Sequence, residues 1–381
     1  MNFAGYTVNA ADTIYSPCLL YFRKHIEENI TKMLSMAGNA TRLRPHIKTF
    51  KTMGVVDLLR AHGITKFKCA TIAEAEMLCR GGVSDVFLAY PVVGPNIDRV
   101  VALLRAFPDL QLKVLTDNVD SLAELSRALS RSFAEGNAAD GGAGVEVLVD
   151  IDPGFQRTGV QPEKAPEIAH YAETAPGLSF GGLHYYDGQN RQSNFDERMA
   201  AAETGYRAVS ALKARLESEG LEVPRLVMGG TPTFPCYARF PDTELSPGTA
   251  VVYDWGYQRT LPDLPFVPAG LVFGRVVSRP ADDRFTLDIG AKAISTDRSG
   301  QRGLVLDHED ASPILQSEEH WVWQTQPDSA SEVPEVGTEV LVVPSHICPT
   351  TALHEEVLVV GPDGDIEASW PITARKRKLS L

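Results

Sequence analysis

Eight short β-rich runs, separated by runs with helical spacing, fill the first two thirds of the chain. This alternation limits the possible folds more than any other feature of the sequence. The β-rich runs are RPHIKT (44–49), KFKCAT (66–71), DVFLAY (85–90), QLKVLTD (111–117), VEVLVDID (145–152), SFGGLHYY (179–186), RLVMGGT (225–231) and TELSPGT (243–249). Between them, apolar residues recur at helical intervals, as in Ile26, Ile30, Met33, Leu34 and Ala37, or Val119, Leu122, Leu125 and Leu129. Several of the strands are almost continuously apolar, as a parallel sheet covered on both faces requires. Eight such units predict an α/β fold, a (β/α)₈ TIM-type barrel. After about residue 250 the long helical runs stop, and strands such as FVPAGLVFGRVVSRP, RFTLDIGA, TEVLVVPSHIC and EEVLVVGPDGDIEASWPI follow one another. The expected division is a barrel over 20–250 and a β domain over 251–381 that the N-terminal residues 1–19 also join. The stretches 132–145 and 324–337 are expected to be surface loops.

Composition narrows the partners. The 381 residues are 44% hydrophobic, enough for a large barrel and a smaller domain. A formal net charge of −13 argues against nucleic acid, and the terminal ARKRK is too short to reverse that. Five scattered cysteines form no CxxC pair, which suits a reducing cytoplasm better than a disulfide framework. The N-terminal residues do not read as a secretion signal, and no apolar run approaches the ~20 residues of a membrane span.

In a barrel of this class the working rim lies at the C-terminal ends of the strands, with phosphate sites in the last two loops. Lys48 falls at the end of the first strand. A lysine withdrawn from water becomes a nucleophile able to condense with an aldehyde. MGGTPT ends the seventh strand, where Gly229 and Gly230 admit close backbone approach and Thr231 adds a hydroxyl. SPGT ends the eighth with Gly248 and Thr249. An amine and two phosphate-type turns on one rim suit a phosphorylated aldehyde cofactor. Arg157 follows the fifth strand, and strand alternation sends His184 and Tyr186 to one side and Tyr185 to the other, where it would pack between barrel and helix. In SHICPT, His346 and Cys348 are two apart, so on a strand they would face the same way as an imidazole–thiolate metal pair.

RPHIKTFK, TIAEAEMLCRGGVSDVFLAYPVVGP, VDIDPGFQRTGV, GLHYYDG, GGTPT, ELSPGT and SHICPT, in this order across nearly the whole chain, resemble the D-threonine aldolase and D-serine dehydratase family. The resemblance implies an alanine racemase-like barrel plus β domain, pyridoxal 5'-phosphate and a divalent metal, zinc or manganese. It implies Lys48 as the Schiff-base lysine, with Arg157 and Tyr186 near the cofactor ring. Gly229, Gly230, Thr231, Gly248 and Thr249 would hold the phosphate, and His346 and Cys348 the metal. Retro-aldol cleavage of a β-hydroxy-D-amino acid to glycine and an aldehyde is the leading expectation. The alternative is elimination from D-serine or D-3-hydroxyaspartate to a 2-oxo acid and ammonia, with a racemase, a non-catalytic cofactor-binding protein or a phosphosugar barrel enzyme behind it. A homodimer is implied as well. The chain departs from the family pattern at Phe50, where the family commonly carries a histidine, and shortly after the Y-x-G segment, where Gln189 and Gln192 occupy the neighbourhood of a histidine often found in the family.

Overall fold

The computed structural model describes residues 2–3, 5–134, 144–326 and 332–381, so 135–143 of the expected loop at 132–145, and 327–331 of that at 324–337, lie outside the described residues. The chain divides into two compact units. One comprises Leu34–Lys48, Val55–Gly248 and Lys376–Leu381; the other comprises Met1–Met33, Thr49–Gly54 and Thr249–Arg375. The strand β1 (Cys18–Phe22) belongs to the second unit.

The first unit is built on seven strands: β2 (Lys66–Cys69), β3 (Asp85–Pro91), β4 (Gln111–Thr116), β5 (Val145–Ile151), β6 (Leu178–Tyr185), β7 (Leu226–Met228) and β8 (Thr243–Leu245). They hydrogen-bond in chain order and all run parallel. Helices α1 (Ile72–Arg80), α2 (Asn96–Ala106), α3 (Val119–Ala134), α4 (Ala165–Thr174) and α5 (Phe195–Ser218) alternate with them. Their ends follow the sequence chemistry: the Thr71 hydroxyl accepts from the Glu74 N–H at the start of α1, and the Asn194 side chain from the Glu197 N–H at the start of α5. Leu122, Leu125 and Leu129 on α3 are buried, as their spacing requires.

The eighth position is filled by a segment rather than a full strand. Leu43 bridges Leu245 and His46 bridges Lys68, both in parallel, so residues 43–46 join the two edges of the sheet and close it. The Arg44 and His46 N–H groups donate to the Leu245 and Pro247 carbonyls, and the Lys68 N–H donates to Pro45. The expected strand over 44–49 is therefore shortened. Pro45 has no N–H to give a ladder, and Ile47–Thr49 turns into a single 3₁₀ turn that carries Lys48.

The barrel interior is layered. Phe87, Leu115, Leu148 and Val227, from four different strands, meet in a dry central cluster. Two residues earlier on β3, β4 and β5, the pleat directs Asp85, Lys113 and Glu146 toward the N-terminal ends of the strands. There they join a chain of ion pairs. Arg44, only 1% exposed, reaches Asp85 at 2.6 Å and Glu244 at 2.7 Å; Lys66 reaches Glu244 at 2.5 Å; Lys113 reaches Asp85 at 3.1 Å and Glu146 at 3.3 Å. Arg225 completes it by pairing with Glu146. Each charge has an oppositely charged neighbour, and those inside the chain have two, which is what makes burial of so many tolerable.

The second unit carries a nine-stranded sheet with β9 (Gly270–Ala281), β10 (Arg284–Leu287), β11 (Gly303–Val305), β12 (Ser312–Gln316), β13 (Trp321–Gln324), β14 (Glu339–Pro344), β15 (Glu356–Val360) and β16 (Ile366–Pro371). The main path runs β12-β13-β10-β9-β1-β15-β16, with β14 pairing β9 and β11. The N-terminal β1 lies inside this sheet, and Leu20 and Phe22 pack in its core with Leu271, Phe273, Leu341 and Val360. No helix among the described residues is long and apolar enough to cross a membrane.

Arg44 ties the closing segment to one sheet edge through Glu244 and to the strand beside the other edge through Asp85. Arg44→Met should cost about 3 kcal/mol, because it strands partly buried carboxylates. Asp85 and Glu244, although burial acts to raise them, are held below the usual carboxylate range chiefly by Arg44. The stability they contribute is complete above the unfolded values near 4 and is lost as pH falls below them. Urea unfolding from pH 7 to pH 3 should therefore show a steeper acid loss in the native protein than in Arg44→Met.

Candidate active site

At the C-terminal ends of the barrel strands, above the dry cluster, lies a cavity of about 370 Å³. His46, Lys48, Lys68, Arg157, His184 and Tyr186 contribute the polar part of its lining, and Ala89 and Leu115 part of the apolar part. Lys48 is half-buried and reaches the cavity from the 3₁₀ turn after the closing segment. Its backbone N–H donates to His46 Nδ1 at 3.3 Å, so that nitrogen carries a lone pair and the ring proton sits on Nε2. Three cationic groups surround the Tyr186 ring: Lys48 Nζ lies 5.7 Å from its centroid, Lys68 Nζ 5.8 Å and the Arg157 guanidinium 4.9 Å.

The alternation along β6 is as expected. His184 and Tyr186 line the cavity, whereas Tyr185 packs outward against α5, where a Cβ on Gly205 would lie 2.6 Å from its hydroxyl. The next residue, Asp187, is buried and gathers three donors: Thr233 Oγ1 at 2.7 Å, Tyr237 Oη at 2.8 Å and Asn190 Nδ2 at 3.0 Å. These bonds fasten the GGTPT turn to the end of β6. Within that turn Gly229 has φ of 74°, the left-handed region that favours glycine. A Cβ on Gly230 would come within 2.7 Å of the Tyr186 ring. Thr231 Oγ1 accepts from the Gly248 N–H at 3.3 Å, which links the two glycine turns of the rim.

A second polar layer was not anticipated from the sequence. Lys68 Nζ, on β2, lies 3.1 Å from His184 Nε2; His184 Nδ1 lies 2.7 Å from Asp150 Oδ1; Thr158 Oγ1 donates to Asp150 Oδ2 at 2.8 Å. The signal was present in KFKC, whose alternation turns Lys66 and Lys68 inward and Phe67 and Cys69 outward. Burial, reinforced by the neighbouring positive charge of Lys48, lowers the Lys68 ammonium to about 7. Burial and the nearby Lys68 also lower His184, which favours its neutral ring. Asp150, despite burial, is held below the usual carboxylate range by His184.

His346, Cys348 and Thr249 belong to the other unit. Here the structure corrects an expectation. SHIC is not strand: β14 ends at Pro344, His346 caps the short helix Ile347–Leu353, and Cys348 lies in its first turn. Pro349 in that first turn tolerates a helix and would interrupt a strand ladder. The two side chains nevertheless hydrogen-bond each other, which raises the His346 imidazole against the opposing effect of burial. His346 Nδ1 is 2.6 Å from Asp297 Oδ2, and the Cys348 thiol lies 3.2 Å from Thr49 Oγ1 and 3.4 Å from Thr249 Oγ1. Among the described residues no three His, Cys, Asp or Glu side chains are grouped as a metal site. The histidine–thiol pair, with a carboxylate orienting the imidazole, is a two-ligand set that leaves positions open. His354 instead closes that helix, its Nε2 lying 2.9 Å from the Ala293 carbonyl.

Residues 23–254 match the alanine racemase N-terminal domain family. The chain belongs to that family. Residues 269–360 match a serine dehydratase domain. A 3-hydroxy-D-aspartate aldolase of Paracoccus denitrificans (strain Pd 1222) is 30% identical over 95% of this chain and 92% of its own. A D-threonine aldolase of an Arthrobacter species is 28% identical over 94% and 92%. The crystal structure of D-threonine aldolase from Filomicrobium marinum superposes with a TM-score of 0.86 at 29% identity, covering 97% of this chain and 98% of that one. The alanine racemase-like fold expected from the sequence, barrel and β sheet together, is thus present.

Asp187 is the fastening point of the rim. Asp187→Ala should lower the unfolding free energy by about 3 kcal/mol, since it leaves the buried Thr233 and Tyr237 hydroxyls without their acceptor. Calorimetry against Asn190→Ala, which removes a single donor, provides the comparison.

Proposed function

We propose that the protein is a lyase dependent on pyridoxal 5'-phosphate and a divalent metal, and that it cleaves β-hydroxy-D-amino acids by retro-aldol reaction to glycine and an aldehyde. The observation that carries this reading is the cavity in which the Lys48 amine, the Tyr186 ring and the Arg157 guanidinium meet at the strand ends of an alanine racemase-like barrel. Similarity to two aldolases across nearly the whole chain supports it.

The cavity suits the cofactor in charge and character. Its walls bring several cationic or basic groups around an aromatic ring, which matches an anionic aromatic aldehyde. Pyridoxal phosphate, when bound, supplies an electron sink for charge developing at the substrate Cα. Lys48 is the amine that anchors it. Arg157 and Tyr186 orient its ring, and Gly229, Gly230, Thr231, Gly248 and Thr249 form the phosphate set. Gly230 allows the turn to lie against Tyr186 with no side chain between them. His346 and Cys348 are the metal pair, with Asp297 holding the imidazole by Nδ1 so that its other nitrogen is the one left to ligate in place of its bond to Cys348. A metal in such a lyase supplies Lewis acidity, and a thiolate ligand favours a soft ion such as zinc over magnesium. A homodimer in a reducing compartment completes the proposal; none of the five cysteines is joined in a disulfide.

The match to a serine dehydratase domain over 269–360 favours a second reading, elimination to a 2-oxo acid and ammonia. Product analysis separates the two. Incubated with D-threonine, D-serine, pyridoxal phosphate and zinc or manganese, the protein should release glycine and acetaldehyde from D-threonine. Ammonia with a 2-oxo acid would instead establish elimination. Lys48→Ala should lose the visible absorption band of the bound cofactor and roughly a thousandfold or more in rate.

A further inference from the structure

The barrel interior contains two inward lysines on the same short strand, in different surroundings. Lys66 sits in the ion-pair chain, 2.5 Å from the Glu244 carboxylate, as a structural buried cation should. Lys68, one pleat further toward the cavity, reaches an imidazole instead, and a carboxylate only through that ring. It is 2% exposed, yet it lines the same cavity as Lys48.

The hydrogen-bond chain fixes its own polarity. Asp150 accepts the Nδ1 proton of His184, which leaves a lone pair on Nε2 to accept from Lys68. One proton of the Lys68 head is therefore directed at His184. The cavity supplies the remaining direction. The charged and titratable groups around Lys68 are Lys48 on the 3₁₀ turn, Arg44 and His46 on the closing segment, Arg157 after β5, Asp150 on β5, and His184 and Tyr186 on and just after β6. Three cations against one carboxylate, in a site withheld from water, disfavour a further ammonium, and this lowers the amine to about 7. The Phe87 ring, edge-to-face with His184 and 5.4 Å from it between ring centres, packs that relay from the apolar side.

We propose that Lys68 is the proton-transfer group for the substrate's β-hydroxyl, with His184 and Asp150 as its positioning residues. The assignment rests on the lyase reading above and adds the residue that acts at the oxygen. In its neutral form the Lys68 amine takes the hydroxyl proton. As the C–O bond becomes a carbonyl, the Cα–Cβ bond breaks and its electron pair stays on Cα. Cα then takes up a proton, and the Lys68 ammonium gives up its own. Over one turnover a single hydrogen moves from oxygen to carbon, and neither an oxidant nor a reductant is needed. An amine that titrates near neutrality suits this exchange, because both of its forms are populated at working pH.

The test uses the full chain with pyridoxal phosphate and zinc or manganese. In the native protein, kcat/KM for cleavage of D-threonine or D-3-hydroxyaspartate should rise with pH through about 7. Lys68→Met should lower it about a hundred- to ten-thousandfold and abolish that limb while keeping the visible band that Lys48→Ala loses. Lys68→Ala should regain rate with small primary amines in the buffer, in an order set by their basicity. A structural role for the lysine would not produce such rescue. Independently of turnover, protein labelled with ¹³Cε-lysine should show one resonance, missing from Lys68→Met, that titrates near neutrality and moves to lower pH in Asp150→Asn. Wild-type kcat/KM and an unchanged limb in Lys68→Met overturn the assignment, as does a Lys68 resonance titrating at the ordinary lysine value near 10.4. Failure of the native protein to cleave any β-hydroxy-D-amino acid would sink the retro-aldol reading and this role with it. Cleavage undiminished in Lys68→Met would remove the Lys68 role alone.

Discussion

The two carboxylates that Arg44 holds underlie most of the barrel's geometry. A parallel barrel normally closes by a full ladder on each side of every strand. Here the closing segment offers only a few backbone hydrogen bonds, because a proline sits in its middle and a 3₁₀ turn follows at once. The guanidinium supplies what the ladder lacks: it bonds Glu244 on one edge of the sheet and Asp85, one strand in from the other edge. Four residues later in the chain is Lys48, so the position of the cavity amine depends on charges at the opposite end of the barrel.

Above that floor the interior alternates by chemistry. The ionic layer, the dry cluster of Phe87, Leu115, Leu148 and Val227, and the Lys68–His184–Asp150 layer follow one another toward the rim. The dry cluster separates the two polar layers in space and lets no water between them. The lower layer pairs cations with carboxylates directly, which favours stability. The upper one leaves its cations in excess, which favours an anionic guest and keeps one amine near neutrality.

Much of this could be read in the sequence because it followed local rules. Strand alternation in GLHYYDG sorted His184 and Tyr186 from Tyr185, and the glycine pair in GGTPT marked a turn that φ at Gly229 requires. The runs between strands were helices because their apolar residues returned every third or fourth position. What the sequence hid depended on partners far along the chain. Lys66, Lys68 and Lys113 look like ordinary strand-edge lysines until the sheet curls and brings Glu244, His184 and Asp85 against them. Proline chemistry was underweighted twice, in the shortened segment at Pro45 and in the helix that carries Cys348. In both places the backbone turned where alternation alone called for strand.

Arg44 and Glu244 are 200 residues apart in the chain. During synthesis at 5–20 residues per second, the segment that carries Lys48 leaves the ribosome roughly 10 to 40 seconds before its last edge partner exists. Throughout that interval the buried guanidinium has no complete set of counter-charges and the rim turns have nothing to close upon. The cavity is therefore a late product of folding, absent from any nascent chain shorter than about two thirds of the whole. A partly made chain can bury helices against strands, but it cannot yet present the amine in its finished setting. Cofactor capture thus becomes a report that the barrel has closed.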